Sequence, residues 1–100
     1  MKKDTDRYEP TLIYPSFIKG LALVRRYGIN KYGKSDDWRT TKSEDTLDAM
    51  GRHYLAILMG EDFDQESGLA HLYHLGCNVM FETERKYGLD SDTIIKTSNL

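Results

Sequence analysis

The sequence lacks several features that would place it in the larger classes of stabilised or membrane-bound proteins. Cys77 is its one cysteine in 100 residues, which excludes an intrachain disulfide framework and a cysteine-based zinc site. No apolar run is long enough to cross a bilayer, and the charged start has no hydrophobic segment behind it, as a signal peptide would. A formal net charge of -2 argues against a protein that binds duplex nucleic acid. We therefore expect a cytoplasmic protein with neither a membrane nor a duplex as its partner.

The composition is otherwise that of a globular domain. Hydrophobic residues make up 39% of the chain and charged residues 30%, which is ordinary for a folded soluble protein. A chain of 100 residues has room for one domain with a real core. We expect a single helical domain over residues 1–100, with a polar arm over 1–14 and a short tail over 89–100.

Hydrophobic spacing predicts a first helix that begins at Pro15 or Ser16. Apolar residues recur there at intervals of three and four, and Gly28 is a suitable residue to end the helix. The segment over residues 29–42 is predicted to be an ordered loop, with a helical turn as one option. It is long for a connection without structure, which favours a functional role.

Two further helices follow with clearer boundaries. Ser43 is a fitting N-cap for the second helix, whose first turn is acidic and whose apolar stripe continues to Gly60. After an acidic connector over residues 61–66, Ser67 is placed to cap a third helix that runs to about Tyr87. The sequence therefore predicts an all-α fold of three main helices, with the second and third forming an antiparallel hairpin.

The third helix divides into two unequal faces at about 100° per residue. Its narrow side carries a polar ridge. Within this ridge, His71 and His74 stand three residues apart and His74 and Asn78 four apart, so these three side chains can converge on one point. Solvated stripes are usually built from lysine and glutamate, so a functional ridge is favoured over a solvated one. The polar ridge consists of His71, His74, Asn78, Glu82 and Arg85, and the broad apolar side of Leu69, Leu72, Tyr73, Gly76, Val79 and Met80.

The second helix and the connector add further chemistry-bearing residues. Asp48 and Arg52 form an i,i+4 pair, which is either a surface ion pair or part of a site. His53 lies about 140° from Asp48 around an ideal helix, so the two cannot point at one ion; His53 is either a satisfied core residue or a site residue. Glu61 and Asp64 belong to a carboxylate-rich connector without the glycine and spacing of a calcium loop. This connector is either a solvated acidic turn or a source of ligands for a hard cation.

Common catalytic motifs are missing from the sequence. It has no P-loop, no Gly-x-Ser-x-Gly, no Gly-x-Gly-x-x-Gly and no HExxH. Cys77 falls on the apolar flank of the third helix without an activating cation, which disfavours it as a nucleophile. Metal-assisted or nucleotide-directed chemistry between the second and third helices remains.

A specific pattern over residues 48–78 resembles a known family. It reads DAxxRHxxAxxxGEDxDxESGLxHLxHxxxN, and it is preceded by YGxxKYG over residues 27–33 and by Trp38. The pattern resembles the dATP/dGTP diphosphohydrolase N-terminal domain family, which is common in bacteriophages, and the resemblance covers roughly residues 11–87. Asp37 departs from the asparagine that members often carry before the tryptophan.

The resemblance implies a MazG-like, metal-dependent nucleotide pyrophosphohydrolase. Such an enzyme would cleave purine dNTPs, dATP or dGTP, to dNMP and pyrophosphate with Mg²⁺ or Mn²⁺. MazG proteins carry Glu-x-x-Glu and Glu-x-x-Asp on neighbouring helices, and the comparable places here are taken by Asp45-x-x-Asp48 and His71-x-x-His74. Imidazole suits manganese, zinc or a phosphate contact better than magnesium. Relatives form dimers or tetramers, and apolar residues on several helix sides also favour a homodimer or homotetramer.

These observations and the resemblance lead to the following assignments. Nucleotide contacts are expected from cationic and aromatic side chains, and metal contacts from carboxylates with one histidine. Two alternatives remain: a catalytically silent protein that binds or sequesters a nucleotide, and a structural helical adaptor. A phage-encoded protein would act in the host cytoplasm. The catalytic candidates are Asp48, His71, His74 and Asn78; the substrate-binding candidates are Lys31, Tyr32, Trp38, Arg52 and His53; the metal candidates are Asp48, Glu61, Asp64 and His74.

Overall fold

The computed structural model describes residues 7–34 and 37–88. Three α-helices make up most of this part: α1, Pro15–Tyr32; α2, Ser43–Leu58; and α3, His71–Tyr87. Short 3₁₀ turns cover Pro10–Leu12 and Trp38–Thr40. No strand occurs in the described ranges, where Phe63 and Ala70 form only an isolated bridge. The all-α, three-helix prediction is confirmed, whereas the predicted tail over 89–100 and the first six residues of the predicted arm lie outside the described residues.

The first helix is longer than the sequence predicted. Tyr14 is extended before Pro15, as expected, but the helix passes through Gly28 and ends only at Gly33. Gly28 is buried within α1. It therefore lies on the packed side of the helix and does not mark the end of the helix. Gly33 supplies the terminal conformation, with a φ of 89°, and its amide donates to the Ile29 carbonyl. The predicted loop over 29–42 is therefore shorter, and a helical turn is present within it.

The second and third helices form the predicted antiparallel hairpin. The start of α2 meets the end of α3, where the Ser43 hydroxyl donates to the Glu82 carboxylate. The end of α2 meets the start of α3, where His53 contacts His71. Ser43 was predicted as the N-cap, but Lys42 occupies that position without a side-chain cap bond. The serine hydroxyl instead ties the two helices of the hairpin together.

Ser67 does not begin the third helix, which starts four residues later at His71. Gly68 has a φ of 74° and Ala70 a ψ of 137°, so the backbone between them is not helical. The His71 amide donates to the Asp62 carbonyl over 2.9 Å. The connector is thus a compact turn stabilised by its own hydrogen bonds, and these bonds fix the direction in which α3 leaves it.

The polar ridge of α3 is buried at its start, and part of the apolar side is exposed. His71 and His74, on the polar ridge, are 5% and 9% exposed. Leu72 and Val79, on the apolar side, are 63% and 44% exposed. The polar ridge therefore faces the other helices, because these side chains form a polar cluster there, and the solvated-stripe alternative is wrong.

The far end of the polar ridge anchors the loop before α2. The Arg85 guanidinium donates to the Trp38 carbonyl over 3.1 Å and to the Thr41 hydroxyl over 2.6 Å. It also reaches the hydroxyl of Thr46, which is buried at the start of α2. One cation thus satisfies several acceptors of the loop at once. None of the helices in the described ranges is both long and apolar enough to span a bilayer.

Candidate active site

A cavity of about 370 Å³ opens between the three helices and the connector. Its lining combines basic, acidic, aromatic and histidine side chains, which is unusual for a simple packing void. A single cavity thus contains residues from all three helices, and it is large enough for part of a nucleotide. The cavity is lined by Val24, Arg25, Tyr27, Gly28, Lys31, Tyr32, Ala49, Arg52, His53, Asp64, Glu66, His74, Cys77, Asn78 and Phe81.

All three histidines of the chain meet at one end of this cavity. The Nδ1 atoms of His53 and His71 lie 2.8 Å apart. The rings of His53 and His74 are stacked, with centroids 4.7 Å apart and planes inclined by 9°. Tyr27 presents its ring at 89° to that of His74. The histidine cluster therefore combines one residue of α2 with two of α3.

The connector is folded so that it supports this cluster. The Asp64 carboxylate accepts a hydrogen bond from the Ser67 amide over 2.8 Å, and the Asp64 carbonyl accepts from Gly68. The Ser67 hydroxyl accepts from the Leu69 amide and lies 2.7 Å from His74 Nε2. Ser67 thus positions an imidazole instead of capping a helix.

Burial and neighbouring groups set the charge of the cluster. Burial, followed by the proximity of His74 and His71, lowers the pKa of His53 to about 4. Burial also lowers the pKa of His74, although Asp64 opposes this shift. Burial acts to raise the pKa of Asp64, but hydrogen bonds from Ser67 outweigh it and keep that pKa below its ordinary value. At neutral pH the cavity therefore contains neutral His53 and His74 beside an ionised Asp64.

His71 has an unsatisfied atom in this cluster. Its Nε2 is buried and has no hydrogen-bond partner. The closest carboxylate is that of Glu61, whose Oε2 lies 3.5 Å away, outside hydrogen-bonding geometry. A buried polar atom left in this way costs about 1–3 kcal/mol. A water or an ion beside this atom would remove that cost.

Another part of the cavity lining is cationic and aromatic. Lys31 forms an ion pair with Glu66, which raises the pKa of Lys31 and lowers that of Glu66. The Lys31 ammonium also lies 5.0 Å from the centre of the Tyr32 ring and 5.9 Å from that of Tyr27. Arg52 lines the same cavity from α2. Positive charge and π-faces thus line the same cavity as His53 and His74, as recognition of a phosphorylated base requires.

The structure brings together most of the residues predicted for the site, although not in every predicted role. Two candidates lie elsewhere. Asp48 is exposed and does not line the cavity, in agreement with its angular separation from His53. Trp38 also lies outside the lining, and its ring packs against the Arg39 guanidinium at 4.8 Å. The candidates in the cavity wall are Lys31, Tyr32, Arg52, His53, Asp64, His74 and Asn78, while His71 and Glu61 adjoin it.

The sequence prediction did not assign site roles to two residues that line the cavity and one that supports it. Tyr27 stands four residues before Lys31 on the same helix face, a signal that was lost when the helix was ended at Gly28. Glu66 was seen only as one of several connector carboxylates. Ser67 was assigned a capping role, and nothing in the sequence pointed to His74 as its partner.

Comparison with known proteins identifies a family. The family described as dATP/dGTP diphosphohydrolase, N-terminal, matches residues 1–91. A protein of Salmonella phage PMBT28 named dATP/dGTP diphosphohydrolase is 37% identical over 81 residues, which are 81% of this chain and 28% of that protein. The chain thus spans less than a third of that relative's length, and no solved structure matches it. On the family match, the chain belongs to the dATP/dGTP diphosphohydrolase N-terminal domain family.

Proposed function

We propose that this chain provides the active site of a nucleotide pyrophosphohydrolase that acts on purine dNTPs. The carrying observation is one cavity whose lining combines the cations Lys31 and Arg52 with His53, Asp64 and His74. Family membership supports a diphosphohydrolase, and the phage relative bears the name dATP/dGTP diphosphohydrolase. The reaction adds water to phosphorus and breaks the α–β phosphoanhydride bond, giving dNMP and pyrophosphate. We place it in the cytoplasm, where dNTPs occur.

Phosphate binding falls to the cationic wall. Lys31 is neutralised by Glu66, so a triphosphate entering the cavity would replace this carboxylate as the partner of the ammonium. Arg52 offers a planar guanidinium that suits two phosphate oxygens. Tyr32 and Tyr27 are close enough to Lys31 to present a π-face to the purine. This arrangement leaves stacking to tyrosine and not to Trp38.

A divalent cation would fit beside the Asp64 carboxylate and the imidazoles of His53 and His71, which are grouped together. One of these imidazoles, that of His71, has a buried nitrogen without a hydrogen-bond partner. When bound, such an ion would neutralise phosphate charge and make water a better nucleophile. His74 is neutral and fixed by Ser67, so it is suited to accept a proton from water. Asn78 lines the cavity one turn further along α3 and offers an amide to the substrate.

The test is product analysis with each of the four dNTPs and Mg²⁺ or Mn²⁺. We expect dATP and dGTP to yield dNMP and pyrophosphate. Lys31→Ala and Arg52→Ala should each reduce kcat/KM by about 10- to 100-fold, as expected for loss of a hydrogen bond to a charged group. Arg26→Ala is the matched control, because Arg26 is exposed on α1 and does not line the cavity. Absence of both products with every dNTP and ion would refute the enzymatic proposal.

The second candidate function is a nucleotide binder without turnover. It is favoured by the position of Asp48 outside the cavity, which leaves Asp64 and the lysine-paired Glu66 as the carboxylates of the lining. A melting-temperature series with each dNTP, with and without EDTA, separates the two functions. Stabilisation that persists in EDTA and is accompanied by no product would favour the binder.

A further inference from the structure

Three potential ligand groups converge from three different elements of the fold. His53 belongs to α2, His71 to the first turn of α3, and Asp64 to the connector. One ligand atom from each lies within 4.8 Å of the other two. Ligands bonded at about 2.0–2.2 Å to a tetrahedral ion stand roughly 3.5 Å apart. Closure around an ion would therefore need movements of about 1 Å, which side-chain rotations supply.

The second observation concerns the other nitrogen of His71, whose Nδ1 lies 2.8 Å from Nδ1 of His53. His71 is 5% exposed, and its Nε2 has no hydrogen-bond partner although it is buried. A polar atom rarely remains so in a native structure, unless a water or an ion satisfies the site. Glu61 Oε2, at 3.5 Å, is the carboxylate near this nitrogen. The nitrogen and the carboxylate together favour a cation over an uncharged guest.

His74 does not belong to the same ligand set. Its Nε2 lies 2.7 Å from the Ser67 hydroxyl, and its ring is stacked on that of His53. This stacking fixes the plane of the His53 ring, as a supporting residue does for a metal ligand. The contact with the connector serine therefore occupies Nε2 of His74, while the ring stays stacked on that of His53.

The donor types decide which ion fits. Imidazole nitrogen suits zinc, manganese and their neighbours, whereas magnesium prefers oxygen ligands and retains its waters. From these observations we propose that His53, His71 and Asp64 bind a transition-metal dication in preference to Mg²⁺, with Glu61 adjacent to His71. This deepens the proposed function, on which it rests for the presence of a cation in the site, by naming the class of ion; binding is measured without nucleotide, so its failure is distinguishable from a failure of hydrolysis.

The experiment measures ion binding without nucleotide. Untagged full-length protein is treated with EDTA, dialysed, and titrated calorimetrically with Zn²⁺, Mn²⁺ and Mg²⁺. We expect one Zn²⁺ per chain, with Mn²⁺ weaker and Mg²⁺ at least about 100-fold weaker than Zn²⁺. Failure to bind Zn²⁺, or equal affinity for Mg²⁺, overturns the proposal. Neither result bears on dNTP hydrolysis, which is assayed separately with its own products.

Variants locate the ion. His53→Gln and Asp64→Asn should each weaken Zn²⁺ binding by about tenfold or more. Glu66→Gln is the matched control, because Glu66 lines the cavity but is paired with Lys31 and lies outside the cluster. Circular dichroism without metal establishes that each variant is folded. Unchanged affinity in both ligand variants overturns the assignment.

A spectroscopic measurement on the unmodified chain covers the case in which a variant does not fold. The imidazole nitrogens of ¹⁵N-histidine-labelled protein are observed during Zn²⁺ addition. We expect large shifts in one nitrogen each of His53 and His71, while His74 retains the pattern of a nitrogen bonded to Ser67. Coordination by His74 alone, or by no histidine, contradicts the proposed site.

Discussion

The rings of His53 and His74 stack almost in parallel, with centroids 4.7 Å apart and a 9° angle between their planes. One histidine comes from α2 and the other from α3. The contact joins the two arms of the helical hairpin through polar side chains, in a position where a helix pair usually places leucine or isoleucine. The site and the core of this domain are therefore partly built from the same residues.

His74→Ala tests this double role. His74 is 9% exposed, and its Nε2 lies 2.7 Å from the Ser67 hydroxyl. Its truncation removes the imidazole from the Ser67 hydroxyl, which keeps only the bond from the Leu69 amide, so we expect a loss of about 1–3 kcal/mol in the free energy of unfolding. Hydrolysis of dGTP should fall at least about tenfold in the same protein. Urea denaturation and product analysis measure the two effects.

Ser67→Ala is the companion variant, because it removes the hydrogen bond and retains the imidazole stack. We expect it to reduce the free energy of unfolding and the rate of dGTP hydrolysis less than His74→Ala does. If His74→Ala left stability and dGTP hydrolysis at the parental level, His74 would belong to neither the core nor the site.

The sequence predicted the helices well because their periodicity and the hairpin are local properties. It could not predict the direction of the polar ridge, because that depends on His53 and Ser67 meeting α3 from other elements. It separated Asp48 from His53 correctly, since the helix angle alone determines this. The prediction that Ser67 caps α3 was wrong, because a serine before a helix suits a cap and a turn equally well. The tertiary contact with His74 favours the turn.

Gly20 in α1 and Gly51 in α2 are a matched pair of positions for testing how closely α1 and α3 pack. A Cβ on Gly20 would lie 2.3 Å from ring atoms of Tyr73, because α1 and α3 approach closely there, whereas a Cβ on Gly51 would meet nothing within 4 Å. We expect Gly20→Ala to cost about 1–3 kcal/mol. Gly51→Ala should stabilise the protein by about 0.5–1 kcal/mol, since alanine is the better helix former. Thermal or urea unfolding of both variants checks the opposite signs, and equal effects would contradict the close approach.

Acid should weaken the contact between the start of α2 and the end of α3, because this contact includes the Glu82 carboxylate. Hydrogen bonds from the Ser43 hydroxyl and then from Arg85 outweigh burial and lower the pKa of Glu82 below its ordinary value. The unfolded chain therefore takes up a proton at higher pH than the folded chain does. The stabilisation is complete above the ordinary glutamate pKa, about 4.3, and is lost as the pH falls through the lower folded value.

Urea midpoints of the parent and Glu82→Gln, measured from pH 6 to pH 3, check this effect. We expect the difference between the two proteins to shrink as the pH falls, since the parent loses the contribution that the variant lacks throughout. Glu84→Gln, two residues further along α3, is the control for a charge change on this helix. A constant difference across the range would show that Glu82 does not contribute in this way.

Self-association is expected from the part of the apolar side of α3 that faces outward. Among the described residues, Val24 and Cys77 are the buried hydrophobic ones, whereas Leu72 and Phe63 are 63% and 62% exposed. These two residues border an apolar groove of about 840 Å³ between α1 and α3. An exposed apolar surface of this kind is rare on a monomer, so we expect two or four chains to cover it.

Light scattering at micromolar concentration should give the mass of a dimer or tetramer, and Leu72→Glu should reduce it towards one chain. Thr83→Glu, on an exposed position of α3 outside the groove, should not change the mass. A parent protein of monomeric mass would contradict the expectation and leave the groove for a different partner.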